Sequence, residues 1–183
     1  MIEKTTGSQS NLIKIFVIMK RNLLIIGAGQ YGNVVKEIAK ETGNFGKIDF
    51  IDDASEKAVG KISDIKSFRA EYGYAAVLIG NADTREKFYD ILTESGFEIP
   101  SLISKTAFVS ETAKIEGGVI IEPFAVVNAC SEVNRGTFVC AGAIVNHNAK
   151  IGEFCTLQCG SIIPSNSEVP SQTATGYGEV FRR

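Results

Sequence analysis

The 183-residue chain contains a single histidine, no tryptophan, four prolines and two methionines. With one histidine and no CxxC pair among Cys130, Cys140, Cys155 and Cys159, the usual Cys/His zinc sets cannot be completed. The cysteines are read as reduced thiols, and no metal site is expected. Charge of one sign is also missing: 19 Lys plus Arg stand against 21 Asp plus Glu without a basic block. The electrostatic footprint of a nucleic-acid binder is therefore absent. No apolar run approaches the ~18 to 20 residues that cross a bilayer. The opening "NLIKIFVIMKRNLLIIG" is interrupted by Lys14, has Glu3 where a positive leader region belongs, and is followed by no small-residue cleavage site. These absences predict a cytoplasmic protein with a small ligand and neither nucleic acid nor membrane as partner. Residues 1–18 read as an N-terminal extension ahead of a natural start at Met19.

Hydrophobic residues make up 44% of the chain, enough to build a core. Their spacing divides it in two. From Asn22, "NLLIIGAGQYGNVVKEIAKETG" reads as a strand, a glycine turn and a helix that places Val34, Val35, Ile38 and Ala39 on one side and ends at Gly43. A second strand "KIDFIDD", a helix over "KISDIKSFRAEYG", a third strand "YAAVLIG" and a helix over "ADTREKFYDILTESG" follow. Alternating strands and helices predict a parallel sheet flanked by helices over 19–100, an α/β Rossmann-like βαβ domain.

Beyond residue 100 the period becomes six. Ile103, Val109, Ile115, Ile121, Val127, Val133, Val139, Val145, Ile151, Leu157, Ile163 and Val169 follow one another without a break, and the residue four places after each of the first eleven is small or modest, as at Ala107, Ala125 and Ser161. This is the signature of a hexapeptide β-helix. Three hexads make a triangular coil, so residues 18 apart stack, and Ile103, Ile121, Val139 and Leu157 form one internal column. The expectation is a left-handed parallel β-helix of about four coils over 101–174, roughly 19 Å long at ~4.8 Å per coil, with a C-terminal tail over 175–183. So short a prism should associate, most simply as a cyclic homotrimer.

"GAGQYG" places Gly27, Gly29 and Gly32 between a strand and a helix, with Asp52 at the end of the next strand 20 residues past Gly32. That spacing fits a dinucleotide fingerprint, in which glycines admit the phosphates to a helix N-terminus. Only about 80 residues separate Met19 from the first hexad, room for one mononucleotide-binding half where a dinucleotide needs two. A sugar nucleotide fits that space better than NAD. Asp52 and Asp53 are candidates for ribose or base contacts, with ordinary strand-end acids as the alternative.

Joined to the unbroken hexads, "LLIIGAGQYGNVV", "FIDD", "LIGNADTREKF" and "VNHNAKIGEF" resemble the PglD/NeuD-like sugar acyltransferases over about residues 20–183. The resemblance implies acetyl transfer from acetyl-CoA to the amino group of a UDP-linked sugar in surface-glycan synthesis, with His147 as general base. It also implies sugar-nucleotide contacts from Gln30, Tyr31 and Asn81 beside the glycines, and acetyl-CoA contacts near Thr156 and Gly160, whose backbone amide is a candidate for holding the thioester oxygen. Two places after inward Val145, His147 should point away from the core. Where the family commonly has an acidic residue after this histidine, the chain has Asn148, and its glycine loop has Gln30 and Tyr31 where Gly-His is common. Together with the short prism, these departures leave open a non-catalytic sugar-nucleotide-binding or assembly subunit. Sugar O-acetylation also stays open, because the same base can activate a hydroxyl.

Overall fold

A computed structural model describes residues 22–182; the expected extension over 1–18 lies outside the described residues. The first unit is a three-stranded parallel sheet of β1 (Leu23–Ile26), β2 (Ile48–Ile51) and β3 (Tyr74–Val77), in the order β2-β1-β3. All four residues of β1 are buried, as a central strand covered on both faces requires. Helix α1 (Gln30–Thr42) follows the glycine loop and stops at Gly43, whose φ of 71° suits a residue without a side chain. Helix α3 (Ala82–Glu94) starts at Asn81, whose side-chain oxygen accepts the Thr84 N–H at 2.9 Å.

The helix expected over residues 61–73 is much shorter. A 3₁₀ turn at Ile62–Asp64 leads into α2 (Ile65–Phe68), and the chain then turns. Tyr72 must come back to the sheet, where its hydroxyl donates to Asp49 at 2.7 Å. That tertiary contact overrides the local helical pattern.

Twelve two-residue strands, β4 (Leu102–Ile103) to β15 (Glu168–Val169), form three four-stranded parallel sheets. The four-coil left-handed β-helix is thus present, and the internal column of Ile103, Ile121, Val139 and Leu157 stacks in register. Inward Val127, Val133, Val145, Ile151 and Ile163 are fully buried, each contributing on the order of 1.5–3 kcal/mol.

The corners obey the same arithmetic. Gly118, Phe124, Cys130, Gly136, Gly142, Asn148, Phe154, Gly160, Asn166, Gln172 and Gly178 all have positive φ, one every six residues. A left-handed residue turns the backbone through each corner, which glycine and asparagine tolerate best.

The expected tail from residue 175 is instead docked as a partial fifth coil. Thr175 N–H donates to Thr156, Ile162 N–H to Glu179, and Phe181 N–H to Ile162. Thr175 is buried, and Phe181 packs against the internal column.

The residue before each inward aliphatic faces outward, since side chains alternate along a strand. The three prism faces consequently differ in chemistry. On the first, Leu102, Ile120 and Phe138 are covered by the α/β unit and share its core. On the third, Lys114, Glu132, Lys150 and Glu168 stack in register, with Lys114–Glu132 paired at 2.9 Å and Lys150–Glu168 at 3.9 Å. On the second, Phe108, Val126, Ile144 and Ile162 stack in register, and Val180 bridges to Ile162. None of these five is buried, and Phe108 is 56% exposed.

Candidate active site

The glycine loop is shaped by close backbone packing. Gly27 has a φ of 106°, and a side chain on Gly32 would overlap the Gly27 carbonyl oxygen, so that glycine lets α1 lie against the loop. Gly29 differs. It is the N-cap of α1 with a φ of −68°, and open space surrounds the position of a side chain. Gly29 and Gln30 are exposed at this helix start, where unpaired N–H groups and the helix dipole favour an anion.

Asp52 does not project freely toward a ribose. One carboxylate oxygen accepts the Ala28 N–H at 2.8 Å, and the other accepts those of Ala54 and Ser55 at 2.8 and 3.0 Å. The Ala28 bond, followed by the others, holds its pKa below the ordinary carboxylate range. Asp52 is therefore the brace that ties the glycine loop to the end of β2. Exposed Asp53 accepts the Ile62 N–H at 3.0 Å, and Asn81 is occupied as the cap of α3.

Tyr31 reaches from the loop to the prism, where its ring lies 5.1 Å from that of Phe138. Its hydroxyl and Glu122 Oε1 are both buried, with no partner at full hydrogen-bonding geometry among the described residues, while Glu122 Oε2 accepts the Ala141 N–H at 3.2 Å. Burial, reinforced by Cys140 and Glu122, pushes the tyrosine pKa well up, so the phenol stays protonated. Tyr31, Gly80, Phe138, Cys140, Thr156 and Tyr177 line a cleft of about 310 Å³ between the α/β unit and the first prism face. Thus Tyr31 and Thr156, assigned by sequence to different ligands, line one cleft.

His147 stands elsewhere, exposed at the corner between the second and third faces. Asn148 is the left-handed corner residue, with a φ of 58°, and its amide nitrogen lies 2.9 Å from His147 Nδ1. Turned the other way, the amide would present Oδ1 to an Nδ1–H and leave Nε2 as the basic nitrogen; O and N are interchangeable by such a flip. The Gly160 amide is already engaged, donating to Ala141 at 3.0 Å. It is not available to a thioester oxygen, because the coil ladder uses it. Gly142, Gly160 and Gly178 nevertheless form a bare row along the corner between the first and second faces, and no side chain would meet a Cβ placed on any of them.

Sequence reading passed over Arg85. It is 1% exposed, and its guanidinium donates only to oxygens of carbonyls and one hydroxyl, drawn from both units of the chain. A lone arginine in a charged helix gives no sequence signal of burial.

Among the described residues no group of three or more His, Cys, Asp and Glu side chains is placed to hold a metal, and no helix is long and apolar enough to cross a membrane.

Residues 22–92 match the model of the PglD N-terminal domain family. The acetyltransferase domain of PglB from Neisseria gonorrhoeae, solved in complex with acetyl coenzyme A, is 30% identical over 87% of this chain and 80% of its own, with a TM-score of 0.83. A histidine-to-asparagine variant of perosamine N-acetyltransferase from Caulobacter crescentus, in complex with CoA and GDP-perosamine, has the same fold at 22% identity, covering 88% of this chain and 89% of its own with a TM-score of 0.80. WeeI from Acinetobacter baumannii also shares the fold, at 20% identity, 88% and 81% coverage and a TM-score of 0.81. Two-unit architecture, glycine loop and sequence identity converge: the chain belongs to the PglD-like family of sugar acyltransferases.

Proposed function

We propose that this protein transfers acetyl from acetyl-CoA to the amino group of a UDP-linked amino sugar, with His147 as general base, in a homotrimer. The observation that carries this reading is how the second prism face divides the site. The sugar-nucleotide cleft opens on the first face and His147 stands at the far edge of the second, so one chain does not bring them together. The apolar row of Phe108, Val126, Ile144, Ile162 and Val180 lies between them, and a second copy of the chain is the natural cover for it. Cyclic association through this face brings the histidine corner of one protomer toward the glycine-row corner of its neighbour. The bare strip of Gly142, Gly160 and Gly178 suits the narrow pantetheine arm of acetyl-CoA.

In this arrangement the nucleotide diphosphate sits at the exposed N-terminus of α1 and the sugar extends along the cleft. The neutral amine attacks the thioester carbonyl, forming the C–N bond. His147 Nε2 takes the amine proton, with Asn148 Oδ1 accepting from Nδ1–H. The C–S bond then breaks, and the departing sulfur receives that proton from the imidazolium.

The test is release of CoA thiol from acetyl-CoA in the presence of UDP- and GDP-linked amino sugars and their hydroxyl analogues. Release with UDP-amino sugars supports the reading. Preference for a GDP-linked sugar overturns the nucleotide assignment, and preference for hydroxyl acceptors overturns N-acetylation. Nucleotide binding without turnover identifies a non-catalytic subunit.

Gly29 provides a check on the phosphate seat. An aspartate is accommodated there without backbone strain and caps α1 better than glycine by a few tenths of a kcal/mol. The same carboxylate repels a diphosphate. Gly29→Asp is expected to melt at or slightly above the wild-type temperature while binding UDP at least about tenfold more weakly by calorimetry, a loss of about 1.4 kcal/mol.

A further inference from the structure

Arg85 is a buried cation with no carboxylate partner among the described residues. From the first turn of α3, its Nε donates to Gly136 O at 3.0 Å. Nη1 donates to Ile79 O at 2.8 Å and Gly80 O at 3.1 Å. Nη2 donates to Phe154 O, to Cys155 O and to Thr156 Oγ1, the last two at 3.3 Å. The guanidinium carbon lies 4.1 Å from the centroid of the Phe138 ring. Burial lowers its pKa to about 10, which still leaves it charged near neutrality. Ion pairing is the usual way to keep a buried charge. Here an array of carbonyl dipoles replaces it, and those dipoles come from two separately built parts of the chain.

The partners show what the array does. Ile79 and Gly80 belong to the loop that leaves β3, whereas Gly136, Phe154, Cys155 and Thr156 belong to the third and fourth coils. Gly80 and Thr156 are opposite walls of the cleft. One rigid, planar group therefore holds both walls at once, a task suited to the fixed fork of arginine and not to the single ammonium of lysine. The packing around it leaves little slack, since Gly136 has a φ of 65° and any side chain there would overlap the Phe154 ring.

We infer that Arg85 is a positioning residue: it fixes the nucleotide-binding unit on the prism so that a sugar held by the glycine loop is presented at one distance and angle. This rests on the reading of the cleft as the sugar-nucleotide site. Arg85 touches no reacting atom. Its loss should spare nucleotide capture, which belongs to the α/β unit alone, and impair turnover, which depends on how that unit sits on the prism.

Two measurements on Arg85→Gln and Arg85→Lys test the assignment in the full-length protein. In the first, kcat for acetyl transfer is expected to fall at least tenfold in the glutamine variant with the dissociation constant for UDP changed less than threefold. Lysine should recover only part of the loss. Unchanged kcat, full rescue by lysine or a parallel loss of UDP binding overturns the assignment. In the second, amide hydrogen exchange is followed without ligand. Exchange in α3 and in the loop after β3 should accelerate at least tenfold in Arg85→Gln, while the internal column at Val139, Val145 and Ile151 keeps wild-type protection. Uniform acceleration, or none, overturns the positioning role. If wild-type protein neither binds UDP nor releases CoA, the function assigned to the cleft fails, and the exchange result still decides whether Arg85 couples the two units.

Discussion

Replacing His147 with alanine is expected to lower kcat for acetyl transfer by roughly 10²–10⁴-fold, the range contributed by a positioned general base. The melting temperature and nucleotide affinity should remain at wild-type values, because His147 is exposed, its ring is hydrogen-bonded to the neighbouring Asn148 and it stands apart from the cleft. A fall in kcat with unchanged nucleotide binding identifies an interaction made in the transition state. Unchanged kcat would remove His147 as base. Asn148→Asp adds a second readout in the same experiment. A carboxylate beside the ring stabilises imidazolium, so the acidic limb of the kcat/KM profile should move to higher pH than in the wild type. A limb that stays in place would mean that the titration seen in the rate is not that of His147.

A charge on the second prism face should have a comparably large effect by another route. Ile144 lies at the centre of the apolar row, one position before fully buried Val145. Ile144→Glu leaves the internal column intact, and the monomer should retain its fold. In the proposed trimer it would bury an unpaired carboxylate, which typically costs ~3–5 kcal/mol. Three symmetry-related contacts should carry that penalty, so sedimentation is expected to show monomer at concentrations where the wild type is expected to sediment as a trimer, together with at least about a 10²-fold loss of turnover. Subunit mixing separates assembly from simple damage. Protomers carrying His147→Ala retain the cleft, and those carrying Gly29→Asp retain the base. If each site takes its cleft and its base from different protomers, an equal random mixture should have about a quarter of its sites intact, and at sub-saturating sugar nucleotide it should turn over faster than either variant alone. No recovery on mixing would place both parts in one chain.

Much of this architecture is legible because a β-helix writes its core into the chain at a constant interval. The inward column from Ile103 to Val169 can be counted directly, and counting also places His147 outside. The pattern fails where chemistry changes while geometry continues. Thr175 and Phe181 occupy the next two inward positions, but a hydroxyl and an aromatic interrupt the aliphatic run, so the docked fifth coil reads as a tail. The corner conformation is similarly concealed, because Phe124, Phe154 and Gln172 adopt the same positive φ as the glycines without sharing their composition. Gly27, Gly29 and Gly32 stand out as a motif, yet their roles part in three dimensions: two serve packing and Gly29 lies open. Asp52 reads as a ligand contact because its spacing is correct for one, whereas its oxygens are engaged by backbone N–H groups. Arg85 leaves no local mark, since the partners that bury it against the prism lie 51 to 71 residues away.

The six-residue recurrence of left-handed corners also governs how such a chain can change length. Adding a single residue would move every later corner out of step and turn the following inward aliphatics toward solvent. Adding six would preserve the interior but rotate each subsequent segment onto the next face, so that the Lys–Glu ladder would continue into the apolar row. Only a whole turn of 18 preserves both the interior and all three outer surfaces. The prism is therefore open to lengthening by duplication in units of one coil and closed to smaller steps, and a turn added beyond the fourth coil would extend the glycine row without moving His147.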